Sequence, residues 1–391
     1  MKIIITGNMG YVGPAVVRQL RSAYPKSTIV GLDMGFFSHC LTNARVLPET
    51  QVDFQIFGDV REISPEVLEG TDTVIYLAAI SNDVMGEINE QLTLAINCDA
   101  AVRMARSAKR AGARSFVFAS SCSVYGFAED GARSEKSSLN PLTAYARSKV
   151  LAETGLKPIA DRNFSITCLR FPTACGMSDR LRLDLVLNDF VAAAVASRQV
   201  SVLSDGTPWR PLIHIDDMAR SIEWGAGRKT SHGGPFLVAN AGSDQWNYQI
   251  RDLAEVVARQ IPGVSVSINK NGAPDRRSYR VAFDLFKSLA PRHQPTKSLE
   301  ETIGQLKEGL EHMHFGDLNF RQSNWIRLNV LKGLWADGLL DSNLRWKRTL
   351  TNGGSHSRSS AKRRTQELSP PKSRSRRTVR VSIDTQVAST A

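Results

Sequence analysis

Little in this sequence is aromatic, sulfur-bearing or continuously apolar. No stretch approaches the ~20 apolar residues of a membrane-spanning helix. The opening run Met1–Thr6 is broken at Gly7, too soon for the apolar core of a secretory signal. The five cysteines (Cys40, Cys98, Cys122, Cys168, Cys175) include no C-x-x-C pair and are odd in number. That argues against a zinc cage or a complete disulfide framework and fits a reducing cytoplasm, where the protein is expected to stay. Aromatics make up only 7% of the 391 residues, yet 42% are hydrophobic and 23% charged. This is a soluble, core-forming composition that excludes collagen, a fully disordered chain or a membrane channel. The length is more than twice the ~150 residues of a common domain.

Acidic residues are also in deficit, 38 Asp and Glu against 50 Lys and Arg, for a formal net charge of +12. Only a clustered excess implies a polyanionic partner. From Asn352 to Ala391, nine Lys or Arg face Glu367 and Asp384, a net of +7, which leaves 12 − 7 = +5 for residues 1–351. The segment from Thr351 is Ser-, Arg- and Lys-rich and too poor in apolar side chains to offset its ordering entropy, so it reads as a disordered basic tail. It has no aromatic on which a base could stack, which makes a nucleic-acid partner the lesser expectation. A polyanion-binding module remains the alternative from another functional class.

The first half alternates β-branched runs with helical patterns, the signature of βαβ units around a parallel sheet. Strands are expected at Lys2–Thr6, Ser27–Asp33, Asp53–Phe57, Thr73–Ala78, Ser115–Ser120 and Ser165–Arg170. Helices are expected around Val12–Arg21, Leu92–Ala111 and Ala144–Ala160. The rhythm then changes. Leu181–Ser197, Ile215–Gly225 and Ile250–Gln260 read as helices, and Val200–Leu203, Leu212–Ile215 and Val264–Asn269 as strands. Leu318–Leu350 carries helical periodicity, with Trp325, Leu331, Leu334, Trp335, Leu339 and Trp346 as packing anchors. The expected architecture is α/β: a doubly wound parallel sheet (Rossmann) over residues 1–175, a smaller mixed α/β substrate-binding lobe over 176–350 that exchanges some elements with it, and the tail from 351.

Directly after the first strand comes T-G-N-M-G-Y-V-G, with Gly7, Gly10 and Gly13 opening a helix. The first glycine makes the tight turn, the second lets backbone amides approach a pyrophosphate, and the third lets the helix pack close to the strand. Alone, the glycines are compatible with an ordinary strand-to-helix turn. Asp33, closing the second strand ~20 residues on, stands where an acid accepts hydrogen bonds from an adenosine ribose and repels a 2′-phosphate. NAD is therefore expected rather than NADP. Asp59, after the third strand, is either an adenine-edge contact or a cap, and Leu77, Ala78 and Ala79 are small enough to lie against a cofactor.

Two further pieces suggest an enzyme: S-S-C-S-V-Y-G at Ser120–Gly126, and Tyr145-Ala146-Arg147-Ser148-Lys149. Four residues apart on a helix, Tyr145 and Lys149 share a face. A nearby ammonium favours the phenolate, so Tyr145 can accept a hydroxyl proton while Ser121 holds the same oxygen. In this order the motifs resemble the extended short-chain dehydrogenase/reductases, in the family of nucleotide-sugar epimerases and dehydratases, over about residues 1–350. The resemblance implies catalysis by Ser121, Tyr145 and Lys149. It implies cofactor contacts from Gly7, Met9, Gly10, Tyr11, Gly13, Asp33, Asp59, Val60, Leu77, Ala78, Ala79, Asn97, Tyr145 and Lys149. It also implies a homodimer through the helices around Leu92–Ala111 and Ala144–Ala160.

Beyond Arg170, the resemblance implies a nucleotide-sugar substrate held by Ser121, Thr173, Asn188, Arg210 and Arg277, the two arginines on its diphosphate. Thr173 stands where the family has Asn, which leaves that contact open. His214, Asp216 and Asp217 have metal-like spacing but read as strand-to-helix capping, and no metal is expected. The dehydratases resemble S-T-D-E-V-Y-G, whereas here Cys122 and Ser123 replace the Asp and Glu that eliminate water. The expectation is an NAD-dependent epimerase resembling UDP-glucose 4-epimerase. The alternatives within the family are a nucleotide-sugar dehydrogenase, 4-keto-sugar reductase or dehydratase.

Overall fold

The structure is a computed structural model and describes residues 1–42, 44–81, 89–272 and 277–347. The basic tail expected from residue 351 lies outside the described residues.

Seven strands form one parallel sheet: β1 (Lys2–Thr6), β2 (Thr28–Asp33), β3 (Phe54–Phe57), β4 (Thr73–Tyr76), β5 (Ser115–Ser121), β7 (Ser165–Phe171) and β11 (Phe236–Asn240). Their order is β3-β2-β1-β4-β5-β7-β11. The chain reverses direction across the sheet between β1 and β4, which opens a crevice at their carboxyl ends. Both faces are covered, so the strands are apolar on both sides. Ile3 and Ile5 of β1 pack with helices α1 (Gly13–Ala23) and α6 (Ile215–Gly227), while Ile4 packs with α3 (Ala100–Arg110) and α4 (Ala144–Leu156). All three isoleucines are 0% exposed, and each such burial stabilises by about 1.5–3 kcal/mol.

The remaining strands build the second half: β6 (Phe127–Arg133) with β14 (Ser278–Val281), β8 (Thr173–Cys175) with β10 (Trp209–His214) and β12 (Asn247–Gln249), and β9 (Gln199–Val202) with β13 (Ser265–Ile268). Helices α5 (Val186–Ser197), α7 (Ile250–Gln260), α8 (Asp284–Leu289), α9 (Leu299–His312) and α10 (Arg327–Ala336) accompany them. Helix α6 and strand β11, both later than residue 175, are built onto the parallel sheet. No helix among the described residues is long and apolar enough to cross a membrane.

Three expectations are corrected. The helix expected from Leu181 starts only at Val186. Before it, Leu181 N–H donates to Thr42 Oγ1 (3.0 Å), Leu183 N–H donates to the Trp325 carbonyl (3.0 Å), and the Arg180 side chain is wholly buried, so long-range partners replace the local turn. The helix expected across Leu92–Ala111 contains a π-turn at Ala95–Asp99, preceded by α2 (Glu90–Leu94). In Leu318–Leu350 only α10 and a short 3₁₀ turn are helical among the described residues, and Trp335 is 59% exposed, so it anchors no core.

Candidate active site

The glycine-rich turn follows from backbone crowding. Gly7 has φ +73°, and a Cβ there would lie 2.7 Å from the Ala78 nitrogen; a Cβ on Gly13 would lie 2.0 Å from the Asn8 carbonyl oxygen. Only glycine allows β1, the β4 loop and the start of α1 to meet this closely. The first turn of α1 then leaves unpaired N–H groups, a ready anion site. Asp33 ends β2, and its carboxylate accepts hydrogen bonds from Met9 N–H (3.1 Å) and Gly35 N–H (2.8 Å). Burial pushes this carboxyl above its ordinary range, and the two N–H groups oppose the shift. Asp59 is clasped by Arg61 through Nε (2.9 Å) and Nη2 (2.5 Å), so its strongest partner is local. Leu77 and Ala78 donate to the Thr6 carbonyl (3.1 Å) and hydroxyl (3.2 Å).

Thr143 caps α4, its Oγ1 accepting from Ala146 N–H at 3.2 Å, and this helix presents Tyr145 and Lys149 on one face. The buried Lys149 ammonium donates to the Ala119 carbonyl (2.7 Å), lies 4.7 Å from the Phe118 ring centroid and 5.4 Å from that of Tyr145. Burial lowers its pKa to about 7, with Glu153 one turn on opposing the shift. Ser121, at the end of β5, accepts from Ser123 N–H at 3.1 Å. Behind this wall the π-turn aims Asn97 inward. Its amide accepts from Ile80 N–H (2.8 Å) and donates to the Ile80 carbonyl (3.0 Å) and Ser148 Oγ (3.1 Å), and that hydroxyl donates to the Tyr145 carbonyl (2.7 Å). Asn97 therefore ties the β4 loop to α4 from inside the core rather than facing the cavity.

The two halves enclose a cavity of about 1060 Å³. Its walls include Gly7, Gly10, Tyr11, Gly13, Asp33, Asp59, Val60, Leu77, Ala78 and Ala79, together with Ser121, Tyr145 and Lys149 and with Thr173, Arg210 and Arg277. Met9 is buried beneath the turn and contributes its backbone N–H to Asp33. Asn188 does not line the cavity: its amide accepts from Gly176 N–H (3.0 Å) and donates to Tyr11 Oη (2.9 Å) and the Arg182 carbonyl (2.9 Å). It holds the cavity wall in place. His214 caps α6 by accepting from Asp216 N–H (3.1 Å), as expected, whereas Asp217 accepts from Thr296 N–H (2.9 Å) and Lys297 N–H (3.1 Å) and so holds a distant segment rather than capping its own helix.

Sequence reasoning missed Arg182 and Arg327, both on the cavity wall. Arg182 is held bidentately by Asp184 (2.9 and 2.8 Å) and donates to Ser81 Oγ (2.8 Å). The R-L-R-L-D run was the available signal, obscured by the helix expected there. Arg327 lies far along the chain with no local pattern to mark it.

A glycine turn that admits no Cβ, a buried acid at the end of β2 and a Tyr–Lys pair on the shared cavity wall define a dinucleotide-dependent enzyme of the Rossmann type. A profile of the NAD dependent epimerase/dehydratase family matches residues 3–239, and the chain belongs to that family. It is 30% identical over 230 residues to a Bacillus subtilis (strain 168) protein named "Uncharacterized UDP-glucose epimerase YtcB", covering 57% of this chain and 71% of that one. It is 26% identical over 282 residues to UDP-glucuronic acid decarboxylase 1 of Arabidopsis thaliana, covering 70% of this chain and 62% of that one. The fold matches that of MoeE5, solved in complex with UDP-glucuronic acid and NAD, with a TM-score of 0.68 and 24% identity over 80% of this chain and 100% of that one.

Proposed function

We propose that this chain is an NAD-dependent nucleotide-sugar epimerase of the UDP-glucose 4-epimerase kind, working by transient oxidation at C4 of the sugar. The observation that supports the proposal is that Ser121, Tyr145 and Lys149 line the same cavity as the glycine turn and as Arg210 and Arg277, with the Lys149 ammonium 5.4 Å from the Tyr145 ring centroid. NAD, when bound, supplies a hydride acceptor that returns what it takes, so the protein has only proton and positioning work to do. Gly7, Gly10 and the start of α1 hold its pyrophosphate, and Asp33 its adenosine ribose.

In this reading the Tyr145 phenol takes the C4 hydroxyl proton and later gives it back. Lys149, with its ammonium near the Tyr145 ring, favours the phenolate, and Ser121 fixes the sugar oxygen. Arg210 and Arg277 grip the nucleotide diphosphate, Thr173 faces the same cavity, and Asn188 fixes Tyr11 and the Arg182 backbone. Dehydration is disfavoured because Cys122 is fully buried with its thiol on the Arg170 carbonyl (3.2 Å), so the position supplies no acid to the cavity. We also place the protein in a reducing cytoplasm, since all five cysteines are free and buried. We propose a homodimer through α3 and α4, the latter presenting Leu151 at 48% exposure.

The test is a screen of UDP-, GDP-, CDP- and dTDP-sugars read by mass spectrometry and proton NMR. An epimer of unchanged mass, with no release of reduced nicotinamide, is the expected result. Net reduced nicotinamide or loss of water refutes the epimerase reading in favour of a dehydrogenase or dehydratase.

A further inference from the structure

One end of the cavity holds a cation that the mechanism does not use. Arg327, from α10, is 4% exposed and lies beyond the residues 3–239 matched by the family profile. Its Nη2 donates to the carbonyls of Arg180 (2.7 Å) and Leu181 (3.0 Å), and its guanidinium lies 4.8 Å from the Phe37 ring centroid. Among the described residues its Nε and Nη1 are buried without a close hydrogen-bond partner, and the neutral Cys40 thiol lies beside it. The neighbouring guanidiniums are matched, Arg180 by Glu49 and Arg182 by Asp184 (both 2.8 Å), but among the described residues no carboxylate forms an ion pair with Arg327. Arg327 and Arg182 line the same cavity, with the apolar walls Phe36, Leu331 and Leu344.

We propose that Arg327, with Arg182 beside it, is an oxyanion subsite that binds a carboxylate or phosphate oxygen of a molecule held in the cavity. A buried guanidinium without a counter-charge costs stability unless a ligand supplies one. Low surrounding polarity strengthens the pairing when it does. Burial already pushes Arg327 down to about 10, consistent with a cation awaiting a partner. Guanidinium geometry suits a two-oxygen acceptor, which both candidate groups provide. The oxyanion has two possible sources: a phosphate, of the dinucleotide or of a nucleotide sugar, and a carboxylate on the sugar itself. The two sugar-nucleotide sources rest on the substrate reading above, whereas the dinucleotide does not.

The experiment is calorimetric titration of the full chain and of Arg327→Met with NAD, and then, in the presence of NAD, with UDP-glucose and UDP-glucuronic acid. Loss of a charged hydrogen bond predicts an affinity about tenfold to a hundredfold weaker for the probe that carries the oxyanion. Weakening confined to NAD assigns the dinucleotide phosphate, weakening of both UDP-sugars the nucleotide diphosphate, and weakening of UDP-glucuronic acid alone the sugar carboxylate. Unchanged affinity for all three probes overturns the subsite. If the unaltered protein binds NAD but neither UDP-sugar, the substrate reading fails and the NAD titration alone decides the role of Arg327. Should Arg327→Met not fold, Arg327→Lys keeps the charge and the stem; a smaller loss at the same probe is expected, and no loss overturns the proposal.

Discussion

Glu153 grips Arg170 with both carboxylate oxygens, Nε at 2.9 Å and Nη2 at 2.6 Å, one helical turn beyond Lys149 and buried. Ser120 Oγ donates to the same carboxylate (2.6 Å), and Arg170 passes the connection to Tyr125 Oη (3.0 Å) and thence to Asn240 Oδ1 (2.7 Å). The helix that carries Lys149 is thereby keyed into β7 and β11 by charge as well as by apolar packing.

Breaking that pair leaves a buried guanidinium uncompensated. Glu153→Gln is expected to destabilise the fold by about 3–5 kcal/mol, read as a fall in the denaturation midpoint. Replacing both partners by apolar residues, Glu153→Leu with Arg170→Met, should recover much of the loss, because a buried ion pair contributes little net stability over a packed apolar pair. A double variant as unstable as the sum of the single ones would contradict this.

Lys149 gives the chain a pH signature. Its folded pKa of about 7 lies below the ordinary 10.5. Between these values the unfolded chain holds a proton that the native state has released, so the group's contribution to stability rises with pH across that window. Below about 7 both states are protonated and the cost of burying the ammonium is felt in full. The difference in melting temperature between Lys149→Met and the unaltered protein should favour the variant most below pH 7 and shrink as pH rises. Where the same ammonium supports the Tyr145 phenolate, kcat/KM declines as pH rises through this region, and Lys149→Arg, which stays charged, lacks that decline. A difference independent of pH would show that the Lys149 charge is not what burial penalises.

Gly13→Ala forces a Cβ to 2.0 Å from the Asn8 carbonyl oxygen. The obstacle is backbone, so the turn or the helix must move. NAD affinity measured by fluorescence titration should fall by at least about tenfold, about 1.4 kcal/mol, together with a lower melting temperature. Unchanged NAD binding would separate the glycine turn from the cofactor.

The parts most legible in the sequence were those whose cause is local. β1 and α7 lie where a β-branched run, helical periodicity and flanking residues place them, and the glycine turn and Tyr145–Lys149 need only spacing to be seen. What stayed hidden depends on distant partners. The π-turn at Ala95–Asp99 exists to bring Asn97 to Ile80 and Ser148, and nothing in its composition departs from a regular helix. The stretch Leu181–Leu185 has helical periodicity but is held irregular by Thr42 and Trp325. Asn188 shows the reverse error, a polar side chain on the right helix whose amide is taken up by Gly176, Tyr11 and Arg182. The strand β11 and the helix α9, with its Ser298–Glu301 capping box, carry local signals in a region without functional motifs.

The most direct measurement of the central claim uses a UDP-sugar deuterated at C4, followed by proton NMR as the two epimers equilibrate. Transient oxidation at C4 with Tyr145 carrying only the hydroxyl proton predicts that the deuterium remains at C4 in the product, and that Tyr145→Phe binds NAD but turns over at most about a hundredth as fast. Exchange of the label with solvent, or full activity in Tyr145→Phe, would contradict it.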